Sequence, residues 1–304
     1  MYSSDARTVE EFPVTDPGAG PYGLTAGPDG ALWITLVHAG RIARFSTDGE
    51  GPPRTTVHAL DGAPDCLPMV ITPGPDGALW FTRAGDHRIG RITTDGEAVS
   101  HPLPTPDCGP YGITSAADGG LWFTMTNADR VGRLDPADGT VTEYALPVAG
   151  GFPAMICEGP DGALWFTLNR ANAVGRLAPD TGEVALHPLP TADAGPVGIA
   201  CDGEALWCVE LTASQVARIA TDGRVEEFPL IDDAAKPHAI VSTAPGECWF
   251  TEWGANRVTH FRANGGTTPY ALPTPSSEPH GIAVGADGAL WTAQEIGTVA
   301  RITA

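Results

Sequence analysis

Basic residues are scarce: 17 Lys and Arg stand against 37 Asp and Glu in 304 residues, a formal net charge of −20. A field of that sign repels phosphate backbones and anionic lipid surfaces, so neither nucleic acid nor a membrane is an expected partner. Long hydrophobic runs are absent too, and no stretch approaches the roughly 20 apolar residues of a membrane helix. The opening MYSSDARTVEEF has neither the basic start nor the apolar stretch of a secretory signal, which predicts a soluble, unexported, cytoplasmic chain. The six cysteines (Cys66, Cys108, Cys157, Cys201, Cys208 and Cys248) form no CxxC pair and no metal-finger spacing. They read as reduced core or loop thiols, with a contact between Cys201 and Cys208 left open. What abounds instead is punctuation: 38 Gly and 29 Pro are more than helices tolerate, while 42% hydrophobic residues and 8 Trp argue against disorder. An all-β chain with many turns is expected.

Seven of the tryptophans recur at positions 33, 80, 122, 165, 207, 249 and 291, spaced by 47, 42, 43, 42, 42 and 42 residues. That period lies in the propeller range. Around each Trp runs one theme, as in PYGLTAGPDGALWIT (21 to 35), PYGITSAADGGLWFT (110 to 124) and PHGIAVGADGALWTA (279 to 293), which reads as strand, tight Asp-Gly turn, strand. A third strand follows, as in RIARFSTDG (41 to 49) or VGRLDPADG (131 to 139), and a fourth, as in TVTEYALP (140 to 147) or RVEEFPL (224 to 230). Seven copies of a four-stranded unit predict a seven-bladed β-propeller, one domain over residues 1–304. The last repeat ends after its third strand, VARIT (299 to 303), while RTVEEFPV (7 to 14) resembles a fourth, so the N-terminal segment is expected to close the ring.

Repetition separates scaffold from site, because a residue type present in most blades is explained by blade construction. The seven Trp read as core. His101 and His187 fall where other blades carry Phe12, Tyr144, Phe228 and Tyr270 and read as strand aromatics, whereas His38, His58, His87 and His260 lie near turns or third strands with no definable carboxylate partner. The informative positions are departures. After the Pro that opens each inner strand stand Tyr22, Met69, Tyr111, Ala154, Val197, His238 and His280, so two adjacent blades place imidazoles on one rim of the central channel. Glu278 enters the strand of His280; Gly281 to Val284 runs away from that mouth, turns at Ala286-Asp287-Gly288, and Ala289 to Glu295 returns. Two carboxylates and two imidazoles therefore converge. Paired carboxylates suit a hard divalent cation such as Mg²⁺. A histidine beside it, with an ordinary pKa of about 6.5, can take a proton at neutral pH. Metal as electrophile and imidazole as base would together stabilise the enolate-like charge formed when a carbon loses its proton. Glutamates that merely solvate an acidic rim are the competing reading. Tyr22, Tyr111 and Trp253 read either as an apolar platform or as covers for neighbouring blades.

PHAI (237 to 240), TEWGANRV (251 to 258), EPHGI (278 to 282) and the strand ending in Glu295 resemble the virginiamycin B lyase (streptogramin B lyase) family, and the resemblance runs from GPYGLT (20 to 25) to the last blade. It implies a Mg²⁺-dependent, monomeric lyase that confers antibiotic resistance by linearising type B streptogramins, cyclic depsipeptides closed by a lactone, through elimination. By motif, His280 would be the proton acceptor, His238 the substrate-contacting histidine, and Glu278 and Glu295 the Mg²⁺ ligands. The threonyl Cα proton would leave to His280, the ester oxygen would depart as a carboxylate, and a dehydrobutyrine would remain. The chain departs from the family where an acid often follows the Trp-aromatic-Thr of the second strand: Leu36, Arg83, Met125 and Leu168 stand there, with Glu210 and Glu252 retained. That bears on the shape and polarity of the groove. Two other expectations remain, a metal-dependent lactone hydrolase on the same scaffold and a non-catalytic propeller that binds a partner on its rim.

Overall fold

Each repeat folds as its punctuation dictates. In the computed structural model, which describes residues 7–47 and 52–303, blade three runs through strands A (Pro110–Ser115), B (Leu121–Met125), C (Arg130–Leu134) and D (Val141–Ala145). Strand B is buried at every residue because both faces meet protein, and its sequence LWFTM is accordingly a continuous apolar run. Strand D lies at the outer edge and carries polar residues. Among the described residues the pattern gives seven four-stranded antiparallel sheets and no helix, hence none long and apolar enough to cross a membrane. Asp48 and Gly49, which end the first blade's third-strand segment in the sequence, lie outside the described residues, as do residues 1–6.

The recurring Trp is held by the Asp of the A–B turn. Asp118 Oδ1 accepts the Trp122 indole N–H at 3.2 Å, and its other oxygen accepts Arg133 Nε from strand C at 2.7 Å. The same trio recurs as Asp29/Trp33/Arg44, Asp76/Trp80/Arg91, Asp161/Trp165/Arg176 and Asp287/Trp291/Arg301. Blade six has no such acid, and Trp249 there stacks on His260 with ring centroids 4.2 Å apart. On the other side a strand-D ring covers each indole. His101 lies 5.5 Å from Trp80 and His187 5.4 Å from Trp165, the strand-aromatic role expected of them, and His58 does the same 5.6 Å from Trp33. Burial pushes all three imidazoles below their ordinary pKa, so they pack as neutral rings. The core lies between blades, as where Trp33 of blade one packs with Ile71, Leu79 and Phe81 of blade two. All six cysteines are free, so Cys201 and Cys208 share a cluster without a bond.

The ring closes as the missing strand demanded. Thr8–Pro13 pairs antiparallel with Thr298–Thr303 in the register Thr8 to Thr303 and Phe12 to Val299, forming strand D of blade seven. Phe12 then lies 5.8 Å from Trp291 and 6.0 Å from Phe45 of blade one.

The acid retained in strand B of blades five and six meets two different fates. Glu252 is ion-paired with Arg257, whose Nε donates to Oε2 at 2.5 Å, and its Oε1 accepts Thr259 Oγ1 at 2.5 Å. Glu210 has Gln215 instead: its Oε2 accepts the Gln215 amide at 2.9 Å, and its buried Oε1 has no partner. Burial, reinforced by the charge of Glu227, pushes the Glu210 carboxyl up to about 7. The folded protein therefore keeps this proton to a higher pH than the unfolded chain, whose carboxyl titrates at about 4.3. Stability is complete below that value, falls as pH rises towards about 7 and levels off above it, a loss of about 3 kcal/mol. Glu210→Gln removes the slope. Thermal unfolding is expected to give the variant a higher Tm than the parent at about pH 8 and nearly the same Tm at about pH 4.

Candidate metal and base site

A shared backbone device aims seven side chains at the channel. The residue before each inner-strand Pro is left-handed, with φ of 67° at Gly20, 44° at Leu67, 57° at Gly109, 55° at Phe152, 66° at Gly195, 48° at Lys236 and 52° at Glu278. Four of the seven are not glycine and bear a conformational cost on the order of 1 kcal/mol each, which concentrates strain on this rim. The pairing of strands A and B then slips just beyond the Pro, as between Pro237 and Ile240 and between Pro279 and Ile282. Such an irregularity turns the next side chain out of the sheet plane and towards the axis. Strand-B threonines lock these positions across blade boundaries: Thr251 Oγ1 donates to the His280 carbonyl at 2.9 Å, as Thr167 does to Val197 at 2.6 Å.

His238 and His280 consequently meet edge to face, ring centroids 4.9 Å apart, with Tyr22 lying 4.5 Å from His280. The Tyr22 hydroxyl reaches Tyr111 Oη at 2.5 Å and His238 Nε2 at 3.5 Å. The two tyrosines are thus a hydrogen-bonded pair spanning the channel and not a purely apolar platform. Beneath them a cavity of about 80 Å³ is lined by Met155, Ile199, Ile240 and Ile282 among others. Glu295 follows strand B of blade seven (Leu290–Gln294), and its backbone N–H donates to the Glu278 carbonyl at 3.2 Å, which sets the two glutamates side by side. Glu295 Oε2 lies 3.1 Å from His280 Nε2, and ligand atoms of Glu278, His280 and Glu295 all lie within 4.8 Å of one another. The convergence expected of Glu278, Glu295, His238 and His280 is present.

Electrostatics divides the group into roles. Burial lowers the pKa of His280 despite the opposing charge of Glu295, so the ring is neutral at pH 7 and keeps a lone pair. His238 is driven down to about 3 by burial and by His280 and is also neutral. Burial and Tyr111 raise the Tyr22 phenol well above its ordinary value, which keeps it a donor. Burial would raise Glu295 as well, but hydrogen bonds involving Glu278, His38 and His280 outweigh it and hold this carboxyl well below the ordinary range. Its neighbour Glu278 is raised, first by its hydrogen bond to Glu295 and then by burial and repulsion. Two carboxylates so close cannot both ionise cheaply without a cation between them. The donor set of two carboxylate oxygens beside an exposed rim fits a hard divalent ion with several waters.

One residue escaped the sequence reading. His38, on the B–C turn of blade one, places Nε2 at 2.6 Å from Glu295 Oε1. It lies 257 positions away from its partner, and only the closure of blade one onto blade seven brings the two together. On the far side of Glu278, Trp253 carries Lys236 Nζ 4.9 Å above its ring. Phe152 of blade four does the same for Arg170 at 4.5 Å.

The sequence pattern of the virginiamycin B lyase family matches residues 7–302. A virginiamycin B lyase of Saccharopolyspora erythraea is 61% identical over 57 residues, a stretch that spans 18% of each chain. A solved streptogramin B lyase superposes with a TM-score of 0.91 at 40% identity, covering 98% of this chain and 97% of the other. Virginiamycin B lyase from Staphylococcus aureus, in a catalytically inactive histidine-to-alanine form with quinupristin, does so with a TM-score of 0.91 at 37% identity, covering 98% and 99%. The glutamates and histidines of the channel mouth thus sit in a fold and a sequence pattern matched from end to end, and the chain belongs to the virginiamycin B lyase family.

Proposed function

We propose that this protein is a lyase that inactivates type B streptogramin antibiotics by eliminative opening of their lactone. The observation that carries the reading is the apposition of a carboxylate pair, Glu278 and Glu295, to two neutral imidazoles at one channel mouth. The related Staphylococcus aureus lyase with quinupristin supports the substrate class.

His280 is the base. Its Nδ1 is buried, so a neutral ring that keeps its proton on Nδ1 offers the lone pair of Nε2, the nitrogen beside Glu295 at 3.1 Å, to the threonyl Cα proton. Glu278 and Glu295 would hold Mg²⁺, which when bound supplies positive charge against the carbonyl oxygen where enolate-like charge develops. His238 and the Tyr22 hydroxyl, neutral and linked at 3.5 Å, orient the ring of the depsipeptide from the channel side. The ester oxygen then leaves as a carboxylate, the threonyl unit becomes dehydrobutyrine, and the proton resides on His280 until solvent removes it. Every residue named comes from a single chain, so a monomer suffices.

The mass of the product tests the reaction. Elimination isomerises the substrate, so incubation with a type B streptogramin and Mg²⁺ is expected to give a linear peptide of unchanged mass. A product heavier by one water, with intact threonine, would assign a lactone hydrolase instead. Glu278→Gln and Glu295→Gln are each expected to weaken Mg²⁺ binding and turnover with the Tm preserved, because a neutral amide is a poor ligand for a hard cation. Turnover that survives exhaustive chelation would remove the metal from the reading.

A further inference from the structure

His38 owes its place to a glycine. Backbone bonds from Val37 N to the Gly20 carbonyl (2.9 Å) and from His38 N to the Ala19 carbonyl (3.1 Å) tie its turn to the loop that leads into strand A of blade one. A Cβ on Gly20 would lie 2.4 Å from His38 Cδ2. The conflict recurs at Gly109 against Asn127 (2.7 Å) and at Gly195 against Thr212 (2.5 Å), so glycine in this loop makes room for a turn side chain. What distinguishes blade one is where that side chain goes. Asn127 turns back to the Asp107 carbonyl of its own surroundings at 3.4 Å, whereas His38 crosses to blade seven and meets Glu295 Oε1 at 2.6 Å. An ionised carboxylate can only accept, so His38 Nε2 carries the proton and donates.

We propose that His38 is a positioning residue for the carboxylate pair: by holding Glu295 Oε1 it keeps Oε2 turned towards His280 and Glu278, where a divalent cation would be bound. The proposal rests on the reading of Glu278 and Glu295 as a cation site. Glu295 is fastened at its backbone by the Glu278 carbonyl, at Oε2 by His280 and by a hydrogen bond with the Glu278 carboxyl. His38 adds the contact to Oε1 from outside blade seven, at 2.6 Å. Hydrogen-bond partners of metal-binding groups are typically worth about 10 to 100-fold in metal affinity or activity. With its side chain 52% exposed, the imidazole can be removed without leaving a cavity in the core.

The test uses Mn²⁺ as the probe, with the free ion followed by electron paramagnetic resonance during titration of the parent, His38→Ala and His38→Gln. The alanine variant is expected to bind Mn²⁺ about 10 to 100-fold more weakly and to lose a similar factor in kcat while KM changes little. Its Tm is expected to match the parent's. Gln retains an N–H donor and is expected to recover most of both losses. Unchanged Mn²⁺ affinity in His38→Ala, with the parent binding normally, would overturn the role of His38 and leave the cation site standing. Equal losses in both variants with a lowered Tm would also overturn it, because packing would then explain the effect. A parent that binds no Mn²⁺ would remove the cation site and this proposal together.

Discussion

His280→Ala is expected to lower kcat by about 10² to 10⁴-fold while substrate still binds, the contribution typical of a positioned general base. The size follows from the lack of a substitute. Burial keeps His238 neutral too, but its Nε2 is directed at the Tyr22 hydroxyl, and Glu295, the strongest acid of the group, is the weakest base. His238→Ala is accordingly expected to be the milder change, expressed more in KM. The pH dependence has a fixed sign. Because burial lowers the pKa of His280, kcat/KM is expected to be flat through neutrality and to fall on acidification only below the ordinary histidine range of about 6.5. Deuterium at the threonyl Cα slows the reaction if proton removal limits it. A variant without His280 that retains turnover within a few-fold of the parent would dismiss the base, whatever the metal requirement proved to be.

How much of this was legible in sequence depends on whether the information was local. Glu278 and His280 stand two residues apart, and Glu295 returns to them through one tight turn, so strand periodicity alone brings the three together. The Trp period placed His238 beside them because equivalent positions of neighbouring blades are neighbours in space. The closing strand was legible as a missing fourth strand at one end and a surplus one at the other. His38 was not, since its partner lies across the seam of the ring and nothing in the turn sequence marks which side chain crosses it. Gly20 was the available signal: a glycine before the strand-opening Pro occurs in blades one, three and five, where a bulky turn residue occupies the space of a Cβ. The Tyr22–Tyr111 bond joins blades one and three, which the repeat does not place side by side. The uncompensated Glu210 was half visible, as a retained acid followed five residues later by Gln215 where Glu252 has Arg257.

Deletion of residues 1–14 is expected to abolish both the cooperative fold and activity. The strand Thr8–Pro13 contributes one full edge of blade seven, and Val14 N extends the ladder to the Gly297 carbonyl at 2.9 Å. Phe12 lies against Trp291 and Phe45, and Glu11 binds Thr274 Oγ1 at 2.6 Å and Gln294 Nε2 at 2.9 Å. Backbone bonds at about 1 kcal/mol each, plus the aromatic contact, sum to a loss on the order of the whole net stability of an ordinary domain. The consequence is not confined to one edge, because an open ring leaves the outer edge of strand C of blade seven unpaired and lets blades seven and one separate. Glu278, His280 and Glu295 all stand on blade seven, and His38 reaches them only across that seam, so the site fails with the closure. Phe12→Ala, which keeps the ladder and loses only the ring contact, is expected to lower the Tm modestly and to preserve most activity. A peptide of residues 7–15 added to the truncated chain is expected to restore part of both by completing the sheet in trans. Scanning calorimetry decides between the alternatives: a truncated chain with the parent's Tm and full turnover would mean that six blades and a three-stranded seventh stand without a closing strand.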